Sequence, residues 1–310
     1  MELQTEVKLR EVLELLRQGK PFEARKILEI LFENVLDCPQ VVLTNRYNTF
    51  WCDAIVRLKK IDDFFEHSEC ILTEWRTFQL HFFDAAEVFE PALAAIQMGY
   101  FSNALIFLKE KDNEKDSYQK AETYRKIGIC YKKLGDFENA RTYLTEANRI
   151  YPNLASVLSE LADCYSLCGE DKIGKVLFRE AFFLAPDEID LDFLDSQLIK
   201  CLIKITSEKG FSGKTAQYWI PVYGVLTGVF NIKKELSSQE VAKLKKDIYA
   251  LENESKDPSC NREILVPRLL NCYFWLLDFY ALAKENNSKI SEILLKIKIL
   301  DSSIYDAYIS

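Results

Sequence analysis

Apolar residues recur along this chain at the three-to-four-residue spacing of amphipathic helices. Near the N-terminus, Leu9, Val12, Leu13 and Leu16 fall on one helical face, and similar stripes return between short polar breaks. Only ten glycines and eight prolines occur in 310 residues, which favours short connections. The pattern predicts an all-α protein whose helices follow one another closely.

Two segments of the chain align without a gap at a spacing of 34 residues, 121–154 and 155–188. In this alignment Tyr131 falls on Tyr165, and Leu144 falls on Phe178. A fixed period of this length is typical of stacked helix–turn–helix repeats. The remaining matches join small or helix-breaking residues: Gly128 with Ala162, Gly135 with Gly169, Ala147 with Ala181, and Pro152 with Pro186.

These matches have physical reasons. Small side chains at Gly128 and Ala162 allow close approach of helix axes. Gly135 and Gly169 suit the turn between two helices, where a left-handed backbone is required. Pro152 ends a second helix because proline cannot continue it. Each unit is therefore expected to be one helical hairpin that buries its apolar face by stacking on neighbours.

The two units resemble the tetratricopeptide repeat (TPR) family. The notable departures are Tyr124 and Leu158, where the family often has tryptophan, and Gly174, where it has alanine. The resemblance is strong over 121–188 and weaker over 8–120, where Gly19 and Gly99 are interpreted as further turns. It implies a right-handed α-solenoid, and the division expected is a TPR-like solenoid at 1–206, a linker at 207–218 and an irregular helical C-terminal region at 219–310.

The C-terminal region loses the repeat signature. Residues 190–206 are predicted to form one helix, and Ser237 with Glu240 forms a capping box that opens another. A final pair at 264–285 and 289–300 could be a degenerate repeat, although Asp278 stands where a small residue is expected. In 219–232, the spacing of Gly224 and Gly228 indicates a buried packing helix, with a homo-oligomer contact as the alternative.

Composition narrows the function classes. The chain has 40 basic and 48 acidic residues, so general affinity for nucleic acid or anionic lipid is not expected. Lys126, Lys132 and Lys133 are interpreted as a solvated helix face, with a local basic patch as the alternative. Nine cysteines without an even framework favour a reducing compartment. Because no apolar signal core or membrane-length apolar stretch was recognised, a cytoplasmic protein without membrane insertion is expected.

No metal site or cofactor is expected. Cys164 and Cys168 are one helical turn apart, but no second pair completes a zinc site, and His67 and His81 lack ligand-like neighbours. The segment 210–215 ends like a phosphate-binding loop, yet Glu208 occupies the place of the required glycine. Nucleotide binding through 210–215 is therefore a remote alternative, and no catalytic arrangement is recognised.

In a stacked array the first helices of the hairpins line a concave groove, which can accept a peptide or a helix. The lysine–asparagine clamp that TPR proteins use for chaperone tails does not fit, because Ile129 replaces the asparagine and Glu160 opposes a carboxylate. The leading hypothesis is a non-catalytic adaptor or scaffold for a protein or peptide partner, and a self-associating structural subunit is the alternative. The predicted groove residues are Arg125, Ile129, Lys132, Ser159, Asp163, Ser166, Phe193 and Gln197.

Overall fold

Every regular element in the described part of the chain is helical, which confirms the all-α prediction. The computed structural model describes residues 2–34, 38–83, 85–110, 116–284 and 287–310. Within these ranges there are fifteen α-helices, two short 3₁₀ turns and no strand. The chain divides into two compact units, Met1–Tyr151 (unit 1) and Pro152–Ser310 (unit 2). This division separates the two strict repeats, whereas the boundary predicted from the sequence lies near residue 206.

Unit 1 consists of seven helices, and each helix packs on the next along the chain, although α4 and α5 meet mainly through aromatic side chains. The backbone of α5 packs closely on α1, α3 and α6. The seven helices are α1 (Glu2–Arg17), α2 (Pro21–Asn34), α3 (Pro39–Leu58), α4 (Phe64–Phe82), α5 (Glu90–Glu110), α6 (Ser117–Lys133) and α7 (Phe137–Ile150). The strict repeat 121–154 is therefore the α6–α7 hairpin.

The turn that closes the α6–α7 hairpin has the geometry expected from its glycine. Gly135 has φ +82°, its N–H donates to Lys132, and the N–H of Asp136 donates to Tyr131 at 2.9 Å. These two bonds satisfy carbonyls at the end of α6. The same pair of bonds ends α1, so the weaker N-terminal resemblance also corresponds to a hairpin, α1–α2.

Gly99 is not the turn that the sequence analysis predicted. It lies in the middle of α5, which is one continuous helix, and residues 111–115 of that predicted unit lie outside the described residues. A Cβ at Gly99 would lie 1.9 Å from the carbonyl oxygen of Leu16 and 2.7 Å from the Trp51 ring. Glycine is required here because α5 passes directly against the end of α1.

The sequence was expected to contain no segment with the length and composition of a membrane span, and helix α5 differs from that expectation. Among the described residues, Glu90–Glu110 meets both criteria, and half of its most apolar window is buried in the protein. The aromatic side chains of Tyr100 and Phe101 lie against Trp75 with ring centroids 5.4 and 4.8 Å apart. The apolar character of α5 is thus used in the core of unit 1.

Unit 2 begins with the second strict repeat and continues as further helical pairs. Helix α11 contacts α9, α10, α13 and α15, and α13 also packs on α12 and α14. The eight helices are α8 (Ala155–Leu167), α9 (Asp171–Leu184), α10 (Gln197–Glu208), α11 (Gly213–Leu226), α12 (Ser238–Glu254), α13 (Arg262–Leu282), α14 (Asn287–Leu300) and α15 (Ser302–Ile309). The 3₁₀ turns Pro186–Glu188 and Leu191–Phe193 connect α9 to α10.

Three boundaries in unit 2 differ from the sequence analysis. The helix predicted at 190–206 begins only at Gln197, because the 3₁₀ turns precede it. The predicted linker 207–218 contains the end of α10 and the start of α11, and α10 ends with the same glycine turn as α6. Helix α11 continues through Pro221 and ends before Gly228, whose φ is +70°.

The capping box of Ser237 and Glu240 is confirmed at the start of α12. The Ser237 N–H donates to Glu240 Oε2 at 2.7 Å, and the Glu240 N–H donates to Ser237 Oγ at 3.3 Å. Two backbone donors at the start of the helix are thereby satisfied. The predicted last pair corresponds to α13 and α14, with Glu285 outside the described residues. The short helix α15 was not predicted.

Candidate protein-interaction surface

The groove residues predicted on α6 are buried. Ile129 is fully covered, and the Arg125 and Lys132 side chains are almost so. Arg125 donates through Nε to Glu122 Oε2 at 2.9 Å, and its other nitrogen forms an ion pair with the same oxygen at 2.7 Å. A partner would therefore have to displace an internal, buried ion pair to reach Arg125.

The lysines of α6 do not form a solvated face or a surface patch, so both interpretations were wrong. Lys126 is fully buried; its Nζ donates to Ser68 Oγ at 2.7 Å, pairs with Glu69 at 2.5 Å and lies 4.3 Å from the Phe65 ring centroid. Burial lowers the pKa of Lys126, and the adjacent Glu69 carboxylate opposes that shift. Lys126 thus holds α6 against α4 within unit 1.

The groove residues predicted on α8 are also largely engaged within unit 2. Asp163 is fully buried, and its two carboxylate oxygens accept the N–H groups of Asp195 and Ser196 at 2.9 and 2.8 Å. Ser159 is buried and donates to the Ser156 carbonyl at 3.0 Å, while Ser166 is half-buried. The segment that follows α9 thus covers this face of α8.

Phe193 and Gln197, the two predicted groove residues that follow the second repeat, differ in their exposure to solvent. Phe193 lies in a 3₁₀ turn and is fully buried, whereas Gln197 at the start of α10 is exposed. The helical period placed the residues of α6 and α8 on shared faces, but it could not show which faces meet solvent. A binding role for the eight residues stays a prediction.

Unit 2 contains an open cavity that the sequence analysis did not find. Its volume is about 330 Å³, and it lies beside the C-terminal end of α9, between α12 and α13. We call it the α9 cleft and define it by its floor and its charged rim. The floor consists of Phe182, Pro186, Leu251, Pro267 and Asn271, and the charged rim consists of Asp187, Lys243, Asp247, Glu254 and Arg268.

Two ionisable groups in the wall of the α9 cleft have shifted pKa values. Burial, followed by the charge of Asp187, raises the pKa of the Tyr218 phenol. Burial also raises the pKa of the Cys272 thiol to about 12, and the charge of Asp247 acts in the same direction. Both groups are therefore neutral at physiological pH, and the charge of the cleft comes from its rim.

Helical spacing could have placed Asp247, Leu251 and Glu254 on one face of α12, since they are three and four residues apart. That signal does not distinguish them from any solvated helix face. Only the packing of α12 on α13 brings this face opposite the end of α9.

The segment 210–215 opens α11 at Gly213, and the preceding element is helix α10 rather than a strand. A phosphate-binding loop follows a strand, so the local architecture differs from the one that such a loop requires. Gly210, Thr215 and Arg262 line a separate shallow cavity of about 450 Å³ in unit 2. Nucleotide binding through this segment is not supported by the surrounding fold.

The segment 219–232 lies in the core of unit 2. Trp219 and Val222 are buried, and a Cβ at Gly224 would lie 2.2 Å from the Phe230 ring. Gly224 thus permits a contact inside the unit, while Gly228 is part of a turn, so the two glycines do not form one helix seam. Self-association through 219–232 stays a prediction. Within the described residues, no cluster of three metal-ligating side chains occurs.

Comparison with known proteins gave one family match and no curated relative. No curated protein matches the chain significantly. The sequence profile of the tetratricopeptide repeat matches residues 121–154, the α6–α7 hairpin of unit 1. This match agrees with the resemblance read from the residues, and it identifies that hairpin as a repeat of a type that generally mediates protein–protein interaction. The chain therefore carries a tetratricopeptide repeat at residues 121–154.

Proposed function

We propose that this protein is a non-catalytic, cytoplasmic adaptor that binds a segment of a partner protein and helps to assemble a complex. The observation that carries the proposal is the tetratricopeptide repeat at 121–154, which forms a well-closed hairpin in unit 1. Arrays of such hairpins present extended surfaces to peptides and helices.

The α9 cleft of unit 2 is the surface that we assign to partner binding. It is concave, and its volume of about 330 Å³ is within the range of ordinary ligand sites. Of the predicted groove, Gln197 is exposed and Ser166 is half-buried, whereas the remaining residues are buried. The cleft is therefore open to a partner, whereas six of the eight predicted groove residues are not.

Site-specific photo-crosslinking tests this proposal. A benzophenone amino acid is introduced in the full chain at Ala250 in the cleft, at Gln197 in the predicted groove, or at Ala242, which is exposed on α12 outside the cleft. We expect one protein to crosslink from position 250 and not from position 242, and then to bind the purified chain. Crosslinking from position 197 alone would assign partner binding to the predicted groove. The absence of a specific crosslinked product from both position 250 and position 197 would contradict the adaptor function.

A further inference from the structure

Three hydrogen-bond acceptors in the lining of the α9 cleft have no hydrogen-bond donor assigned to them, one on the floor and two at the end of α9. Asn271 is 5% exposed; its Nδ2 donates to the Phe182 carbonyl at 3.3 Å, while its Oδ1 accepts no hydrogen bond from the described part of the chain. The carbonyls of Phe183 and Leu184, at the end of α9, accept none of the described backbone N–H groups. An acceptor without a protein partner in the wall of an open cavity can be satisfied by water or by a ligand that carries N–H groups.

The electrostatics of the cleft favour a cation. The C-terminal end of α9 carries the negative end of the helix dipole, equivalent to roughly half an elementary charge. The rim adds the carboxylates of Asp187, Asp247 and Glu254 against the two basic groups of Lys243 and Arg268. Asp187 interacts with the Tyr218 phenol, whereas among the described residues the carboxylates of Asp247 and Glu254 form no ion pair and are available to a ligand.

The floor also contains apolar surface suited to an aliphatic stem. Phe182, Pro186 and Leu251 are buried and line the cavity together with Pro267. Long basic side chains bury their methylene groups on such surface while the charged end forms hydrogen bonds. A guanidinium provides five N–H donors in one plane and stays charged, which suits several dispersed acceptors better than an ammonium does.

We propose that the α9 cleft binds an arginine side chain presented by an exposed segment of the partner protein, with the guanidinium held by Asn271 Oδ1, the terminal carbonyls of α9 and the carboxylates of Asp247 and Glu254. This inference rests on the proposed adaptor function and names the chemistry of its partner. Arg268 lies on the rim and repels a cationic ligand, so it lowers the affinity of the cleft for arginine.

Labelled peptide pools test the proposal directly on the full chain. Three fluorescein-labelled octapeptide pools are randomised except at one central position, which holds arginine, its neutral isostere citrulline, or glutamate. Fluorescence anisotropy at low salt should give at least tenfold tighter binding for the arginine pool than for the citrulline pool. Equal binding of the arginine and citrulline pools overturns the proposal.

Substitutions on the rim of the cleft test whether the preference for arginine over citrulline arises there. The double variant Asp247→Asn with Glu254→Gln should lose about tenfold in affinity for the arginine pool, and Arg268→Gln should gain affinity because a like charge is removed. The matched control Glu235→Gln removes an exposed carboxylate outside the cleft and should leave binding unchanged. All four substituted rim or control positions lie at least partly in solvent, so thermal melts should match those of the parent chain.

Two further outcomes separate the possible failures. If spermidine binds the parent chain as tightly as the arginine pool does, the cleft takes small polyamines and the peptide assignment is wrong. If the double variant binds the arginine pool like the parent chain, the guanidinium lies elsewhere. A partner that still crosslinks from position 250 in either case would leave the adaptor function standing and overturn only the arginine assignment.

Discussion

The carboxylate of Asp278 on α13 forms a buried ion pair with the guanidinium of Arg179 on α9, a residue 99 positions earlier in the chain. Lys233 lies 3.2 Å from the second carboxylate oxygen, and the Arg179 guanidinium stacks 4.8 Å from the Trp275 ring centroid. Arg179 also donates to the Ile232 carbonyl at 3.0 Å. Asp278 was read from the sequence as a misfit in a degenerate repeat, yet it joins three segments of unit 2.

Replacing Asp278 by alanine should strongly destabilise unit 2. The substitution leaves the guanidinium of Arg179 buried without its counter-ion, and breaking a buried pair from one side typically costs about 3–5 kcal/mol. Chemical denaturation followed by tryptophan fluorescence measures the change. Lys233→Ala is the control and should cost less than about 1 kcal/mol, because that lysine is substantially exposed. Equal losses in the two variants would contradict the assigned role of Asp278.

Replacing Asp163 by alanine should loosen the start of α10. Its carboxylate accepts two backbone N–H groups, from Asp195 and Ser196, and removing it leaves both donors buried or half-buried without this partner. A loss of about 2–4 kcal/mol is expected at the usual cost of unsatisfied donors. Hydrogen exchange should show faster exchange at these two amides.

Asparagine at position 163 is the matched control, because its single amide oxygen retains one of the two bonds. It should lose roughly half as much stability as alanine. If the exchange rates of Asp195 and Ser196 stay unchanged in the alanine variant, the carboxylate does not hold this connection.

Gly99→Ala should destabilise unit 1 more than Gly135→Ala does. At Gly99 the new methyl group would overlap the Leu16 carbonyl, so backbone must move and the cost is about 3 kcal/mol or more. At Gly135 there is open space, and only the positive φ opposes a side chain, at about 1 kcal/mol. Thermal unfolding of both variants measures the two losses of stability. A larger loss for Gly135→Ala than for Gly99→Ala would contradict the close approach of α1 and α5.

Stability should fall as the pH rises above about 9. Burial raises the pKa of the Cys130 thiol and of the Tyr100 phenol, and it raises the pKa of the Cys272 thiol from 9.0 to about 12. The folded chain therefore keeps protons that the unfolded chain loses at these pH values, so the stabilisation is complete below the unfolded pKa and declines above it.

Denaturation curves at pH 8, 9 and 10 measure this decline. The variant Cys130→Ala removes one of the buried thiols and should show a shallower decline. Cys168→Ala is the matched control because Cys168 is exposed, and its pH dependence should equal that of the parent chain. A parent chain that is equally stable at pH 8 and pH 10 would overturn the assignment.

Local sequence signals predicted the helices well and the surfaces poorly. The glycine turn at Gly135 and the capping box at Ser237 were readable because each depends on residues within one turn of the helix. Gly99 was misread because its glycine serves a contact with Leu16, more than eighty residues away. Six of the eight predicted groove residues are buried for the same reason. Asp163, for example, is covered by the segment at 195–196, and the helical period contains no information about that contact.

The sequence by itself determined that the described part of this chain is all-α and that residues 121–154 and 155–188 each form a helical hairpin, the first of them a tetratricopeptide repeat, because periodicity, small residues and turn glycines act locally. The tertiary structure decided where charge is buried and where a cavity is open. Arg179 meets Asp278, and the end of α9 faces Asn271 and the acidic rim of α12, only after unit 2 has folded. Long-range packing sets these relationships, since the free energy of each contact depends on partners that adjacent residues do not specify.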